Sequence, residues 1–168
     1  MRVANPDRAR EVEIAASLIV PAPPEALYEA VRDVRRFPLW APGVRRVEVC
    51  GNPGEPGMLS EWEVSFLGLR RKILSVLEEA ESPSLLRWSY AGPVTGTGEC
   101  AIRDRGDGAL AEFRTSLGSV DPLLRRLVGS ASVRSAASGH LRRSLSKLGH
   151  LVCGDESRVL VGPPTGLT

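Results

Sequence analysis

The sequence predicts a single α+β domain: an antiparallel sheet of about six to seven strands, two short helices after the first strand, and one long C-terminal helix. Two observations carry that expectation. From Arg45 to Leu117 the chain is a succession of short alternating segments separated by Gly/Pro turns. Helical spacing is confined to the stretch after the first strand and to the run Asp121 to Leu151. Strands in series, with helices segregated at the ends, read as an α+β domain.

Taken in order, residues 1–10 read as a loose leader and residues 11–152 as the domain. Residues 153–168 read as a mobile Gly/Pro tail. Glu11 to Val20 is rich in Val and Ile and stops at Pro21, as a strand does. Pro23 and Pro24 then set a helix start, and Ala26, Leu27, Ala30 and Val31 give that helix an apolar face. Asp33 can cap a second short helix that ends at Phe37-Pro38, after which Trp40 sits in a Pro/Gly loop. Arg45 to Cys50 is a strand, and GNPGEPG after it is a turn.

Leu59 to Phe66 alternates, with Trp62, Val64 and Phe66 on one face and Glu61, Glu63 and Ser65 on the other. A two-residue loop at Leu67-Gly68 would pair Phe66 with Leu69, Val64 with Arg71 and Trp62 with Ile73. That strand runs to about Glu79. Leu85 to Ala91 is the next, presenting Leu86, Trp88 and Tyr90 together, and Thr95 to Arg103 and Leu110 to Leu117 complete the set. The last helix opens with Asp121 as N-cap and Pro122 at the first position. Its apolar face carries Leu and Val at both ends, but almost only Gly, Ser and Ala between Gly129 and Gly139. Such a middle either lets another backbone approach closely or leaves room for a ligand.

Composition excludes several classes. A net charge of +2, with no basic patch interleaved with aromatics, gives no reason to expect nucleic acid. Cys50, Cys100 and Cys153 are odd in number and widely spaced, which fits neither a disulfide framework nor a zinc site. The polar start MRVANPDRAREVEI is not a signal peptide, and no apolar run reaches the roughly 18 residues of a membrane span. A cytoplasmic protein is the expectation.

The order of elements and three phrases, IVPAPPEALYEAVRDVRRFPLWAPGVRRVEV (Ile19 to Val49), EVSFLGLRRKI (Glu63 to Ile73) and AEFRTSLGSVDPLLRRLVG (Ala111 to Gly129), carry a resemblance. Over Glu13 to Leu148 the chain resembles the START-like, or SRPBCC, superfamily of helix-grip proteins, in particular its polyketide cyclase/aromatase and coenzyme Q-binding branches. The resemblance implies a curved sheet gripping the C-terminal helix, with a deep apolar cavity between them. Members bind lipids, quinones, hormones or polyketides, and a minority are enzymes. By the same matching, Phe37 falls on a pocket-lining aromatic position, and Trp88 and Phe113 on inward strand positions. The chain departs from the ring-forming enzymes near the end of the fourth strand, where they place a catalytic arginine and this sequence has Glu78-Glu79.

Read on their own chemistry, Arg71 and Tyr90 are the catalytic candidates. The hairpin register puts Arg71 on the face of Trp62, Val64 and Ile73. A guanidinium there needs a carboxylate, carbonyls or an anionic ligand, and could face an enolate. A one-residue slip would exchange it for Arg70 or Lys72. Tyr90 can donate to a carbonyl oxygen. Phe37, Trp40, Trp62, Val64, Ile73, Trp88 and Phe113 are expected to line the substrate site, with Ala131, Arg134, Ser135 and Ser138 facing them from the helix. A hydrophobic core is the plainer reading of the same aromatics. Glu99 reads as solvent-facing, and with its strand inverted it could be the base or the partner for Arg71; Cys100 reads as a small buried hydrophobe, Tyr28 as outward-facing and His140 as solvated.

These readings combine into a cofactor-independent cyclase or dehydratase of secondary-metabolite, antibiotic-type biosynthesis, folding a polyketide-like substrate in an internal cavity. The alternative is a non-catalytic carrier of a quinone, lipid or other apolar metabolite. A third reading is a flush-packed domain that binds a partner by its surface. The partner expected is a hydrophobic small molecule, free or delivered by a carrier protein, with no metal and with the chain a monomer or weak homodimer.

Overall fold

Period-two burial sets the orientation of the sheet. β1 (Val12–Val20) buries Val12, Ile14, Ala16, Leu18 and Val20 on one face, as a half-covered strand does. The computed structural model describes residues 11–66, 68–154 and 158–166. The leader 1–10, Leu67 of the hairpin loop, and residues 155–157 and 167–168 of the tail lie outside the described residues.

The order after β1 is α1 (Pro24–Arg32), a single 3-10 turn at Val34–Arg36, and α2 (Phe37–Trp40). Then follow β2 (Val44–Cys50), β3 (Leu59–Phe66), β4 (Leu69–Glu81), β5 (Leu85–Ala91), β6 (Thr95–Asp104) and β7 (Ala109–Gly118). α3 (Pro122–Val128), α4 (Ala131–Cys153) and β8 (Leu160–Gly162) complete the chain. All eight strands form one antiparallel sheet in the order β2-β3-β4-β5-β6-β7-β1-β8. Register shifts between Val44 and Arg46, and between Leu77 and Glu79, put irregularities into β2 and β4. Such bulges bend a strand and increase its twist. With α4 laid against the sheet through β1, this is the helix-grip α+β fold.

The core sits where the second half of α4 meets β1. Leu145 and Leu148 are both 0% exposed and join Leu18, Val20, Leu27, Val31, Leu86 and Cys100. Burying a leucine side chain contributes roughly 1.5–3 kcal/mol, so these positions anchor the helix.

Four local expectations change. The helix predicted to run unbroken from Asp121 is two helices. Asp121 Oδ1 caps α3 by accepting from the N–H of Leu123 (2.8 Å) and Leu124 (3.3 Å). Gly129 ends α3, and Ser130 Oγ restarts the chain as α4 by accepting from the N–H of Val133 at 3.3 Å. The second short helix does not stop at Phe37-Pro38, because Pro38 occupies an early position of α2, where no N–H is needed. Tyr28, read as outward-facing, is 2% exposed beneath α1 beside Leu27 and Val31. The tail is not free where it is described. β8 pairs with β1, Ser17 Oγ donates to the carbonyl of Pro163 (2.7 Å), and Glu112 accepts from the N–H and the hydroxyl of Thr165 (both 2.7 Å).

Candidate functional site

The hairpin register read from the sequence is the one observed: Phe66 pairs with Leu69, Val64 with Arg71 and Trp62 with Ile73. It continues across the sheet as rows of residues facing α4. One row runs Ser60, Ser75, Tyr90, Gly96, Leu117, Val12; the next runs Leu77, Trp88, Gly98, Thr115, Ile14. On β1 itself Val12 and Ile14 are buried, while Leu117, Gly96 and Thr115 beside them are partly buried. Toward β3 and β4, however, Trp62, Val64, Phe66, Ile73, Trp88 and Tyr90 are only half-buried. Opposite them, no residue of α4 from Ala131 to His140 is buried. Helix and sheet therefore stand apart over an open cleft with an aromatic floor. The enclosed space below it, walled by Val31, Phe37, Met58, Trp62, Leu77 and Trp88 among others, is about 20 Å³. That is room for about one water.

The floor is ordered by its aromatic contacts. Phe37 lies 4.2 Å from Trp40 and meets Trp62 edge-on at 4.7 Å between ring centroids. Trp40 and Phe113 are buried and stand 6.4 Å apart. Trp62 Nε1 donates to Ser60 Oγ at 2.7 Å, whereas the Trp40 indole N–H is buried with no hydrogen-bond partner among the described residues. Gly98 has a steric reason to be glycine. A Cβ there would collide with Trp88 Nε1, because the indole lies flat across the backbone of β6.

That placement delivers Trp88 to Tyr90. The indole N–H donates to the Tyr90 hydroxyl, which is also hydrogen-bonded to Thr115. Thr115 Oγ1 in turn donates to the carbonyl of Thr97 at 3.2 Å. Burial pushes the Tyr90 hydroxyl above its ordinary range, outweighing both hydrogen bonds, so at neutral pH it is a phenol. Since Thr115 spends its own proton on that carbonyl, Tyr90 donates to Thr115, and the chain runs from the Trp88 N–H through the two hydroxyls to the Thr97 carbonyl.

The other candidates fall in different places. Arg71 keeps its register position opposite Val64, but its side chain is exposed at the hairpin end and its Nη1 donates to the Arg70 carbonyl at 2.8 Å. Ala131, Arg134 and Ser135 are exposed, and Ser138 is partly so. Glu99 lies on the outer face, where Arg87 bridges it and Glu79 at 2.7 Å each. Glu78 accepts from Ser89 Oγ (2.6 Å), so both acidic residues near the end of β4 serve the outer surface. Cys100 is buried, and burial raises its thiol well above the ordinary range.

His140, expected to be solvated, is half-buried, its ring 5.9 Å from Phe66 and edge-on to it. A Cβ on Gly43 would come within 2.7 Å of its Nε2. Burial, assisted by the Arg143 guanidinium, lowers its pKa, so it is neutral at pH 7. The break at Ser130 is what the sequence pattern concealed. Leu124 and Leu127 belong to α3 and give no phase for α4, whose own buried residues Ser144 and Leu148 are four and eight positions after His140. The usable signal was Gly129-Ser130 as a helix stop and restart.

The described residues contain no helix long and apolar enough to cross a membrane and no cluster of three metal-ligating side chains. Comparison with known proteins agrees with the architecture. No curated protein sequence matches the chain. Among solved structures, the protein TTHA0849 from Thermus thermophilus is 22% identical, with a TM-score of 0.69 over 84% of this chain and 97% of that one. The Zhui aromatase/cyclase from Streptomyces sp. R1128 is 12% identical (TM-score 0.70, covering 84% and 93%). A START superfamily protein from Mycobacterium smegmatis is 17% identical (TM-score 0.68, covering 84% and 96%). At these identities the likeness is one of fold. The family model described as "Polyketide cyclase / dehydrase and lipid transport" matches residues 11–152, nearly the whole described domain, and the chain belongs to that family.

Proposed function

We propose that the chain is a cofactor-independent cyclase or dehydratase acting on a polyketide-like intermediate held between the sheet and the first half of α4. The observation that carries this reading is Tyr90, a phenol kept protonated on an aromatic floor and fed by the Trp88 N–H. An apolar cleft folds a flexible substrate so that its reacting carbons meet, and such proximity supplies up to about 7–11 kcal/mol. In an aldol-type closure a base takes a proton from the carbon between two carbonyls, and that carbon's electron pair forms the new C–C bond. The attacked carbonyl oxygen gains the negative charge and takes the Tyr90 proton, which turns to it from Thr115. Solvent in the cleft takes that first proton, because His140 stands beside Phe66, six residues along β3 from Ser60 and so roughly 20 Å of strand from the row of Tyr90. Solvent then returns a proton to the phenolate. Arg71, exposed at the rim four residues along β4 from the partner of Tyr90, supplies only long-range positive charge, screened by solvent.

The test is ring closure of a poly-β-ketone thioester analogue with and without the protein. Tyr90→Phe is expected to lower the rate about 100-fold while leaving uptake of an apolar fluorescent probe intact. Arg71→Ala is expected to lower turnover with the fold unchanged. Equal rates with and without protein would remove the enzyme reading.

A carrier of an apolar metabolite is the second reading, favoured by one feature. The Tyr90 hydroxyl already has both partners it needs and leaves the cleft without a polar demand. Mass spectrometry of small molecules retained through purification separates the two, since a carrier retains its cargo.

A further inference from the structure

Apart from the aromatic cleft, the molecule carries an open groove at the β1 end of the sheet, with a volume of about 560 Å³, lined by Glu11, Val12, Pro122, Arg125, Arg126, Gly129 and Arg134. Small-molecule sites have volumes of roughly 300–1,000 Å³. Three guanidiniums face one carboxylate here. Arg125 is fixed by backbone carbonyls, its Nε donating to Ser119 O (3.1 Å) and its Nη2 to Val120 O (3.2 Å), which orients the group and leaves its charge uncompensated. Arg126 and Arg134 are exposed and enter no ion pair among the described residues. Arginine forks match carboxylate and phosphate oxygens two at a time.

The groove and the proposed site share one row of the sheet. Val12, in its lining, pairs with Leu117, Leu117 with Gly96, and Gly96 with Tyr90, all on the face toward α4. Three strand spacings of about 4.8 Å separate Val12 from Tyr90, roughly 14 Å of floor. Leu117 makes that floor apolar, and Gly96 leaves it without a side chain. A Cβ on Gly96 would collide with the Ser116 carbonyl oxygen, so the bare stretch is a fixed feature of the strand.

We propose that Arg125, Arg126 and Arg134 form the head-group site for an amphipathic anion, a carboxylate or phosphate whose apolar body runs over Leu117 and Gly96 to Tyr90. This rests on the reading that the cleft takes an apolar ligand, and it specifies the class. The ligand carries an acidic end that stays at the mouth while the remainder enters. The site also sets direction, since anchoring one end fixes which carbon of a chain lies beside the Tyr90 hydroxyl.

Dodecanoate, dodecyl phosphate and dodecanol, titrated into the full chain and read by calorimetry, test it. One or two charge-assisted hydrogen bonds, at about 1.5–3 kcal/mol each, predict that an anion binds at least roughly tenfold tighter than dodecanol. The two anions show whether carboxylate or phosphate is preferred. In Arg126→Ala/Arg134→Ala, two exposed substitutions, both anions are expected to fall to the affinity of dodecanol. Dodecanol binding as tightly as the anions, or all three weakening equally in the variant, would overturn the head-group site and leave the apolar cleft standing. No saturable binding by any of the three would overturn both.

Discussion

His140 is the residue whose chemistry is set most directly by its surroundings. Phe66 and Gly43 crowd it from the hairpin side, and Arg143 adds positive charge from its own helix. Burial first, and Arg143 second, hold its pKa below that of a free imidazole. An unfolded chain would protonate this histidine near pH 6.5, while the folded one resists. Below that pH the unfolded state binds more protons, so stability falls as pH drops through about 6.5, and the term vanishes above about 7.5. Urea midpoints of the wild-type protein are expected to fall between pH 7.5 and 5.5 by more than those of His140→Asn. An equal fall in both would mean that the imidazole is as well solvated in the folded state as in the unfolded one.

Among the elements, those whose pattern is local were legible. Leu59–Phe66 and Leu85–Ala91 begin and end where alternation says they should, and the Phe66–Leu69 register follows from a two-residue loop. What was not legible depends on partners distant in sequence. Leu160–Gly162 is too short to announce a strand, and it is one only because the edge of β1 offers it hydrogen bonds. The same holds for Glu112, a carboxylate in the middle of β7 that nothing in its neighbourhood marks as buried. It is 1% exposed, paired with Arg114, and receives Thr165 on its Oε2. Replacing it with Gln removes the charge from both contacts. Because Arg114 is partly exposed, the expected loss is the lower part of the usual range for a broken pair, about 1–3 kcal/mol. Urea unfolding measures the loss, and limited proteolysis should cut Glu112→Gln first within residues 158–166. Unchanged cleavage there would show that β8 is held by its strand pairing alone.

At the scale of the whole molecule, the enclosed void of about 20 Å³ decides how a ligand enters. A cyclisable chain cannot fit there, so entry deeper than the open cleft requires widening, and the two halves of the fold differ in how readily they yield. Leu145 and Leu148 fasten the second half of α4 to β1 in the deepest part of the core. The first half follows the Gly129–Ser130 break, has no buried residue before Ser144, and meets the β3–β4 hairpin through His140 and Phe66. Widening therefore belongs to residues 131–140 and to the hairpin, while β1, β7 and the end of α4 stay in place. Hydrogen exchange with and without a saturating apolar ligand reads this directly. Amides of Ser60–Ile73 and Val133–His140 are expected to gain protection on binding, with those of β1 and β7 unchanged. At a ligand concentration about 100 times its Kd the stability gain should be about 2.7 kcal/mol, seen as a rise in Tm. Protection spread evenly over β1 and β7 instead would place the ligand against the anchored half of the molecule, away from Tyr90.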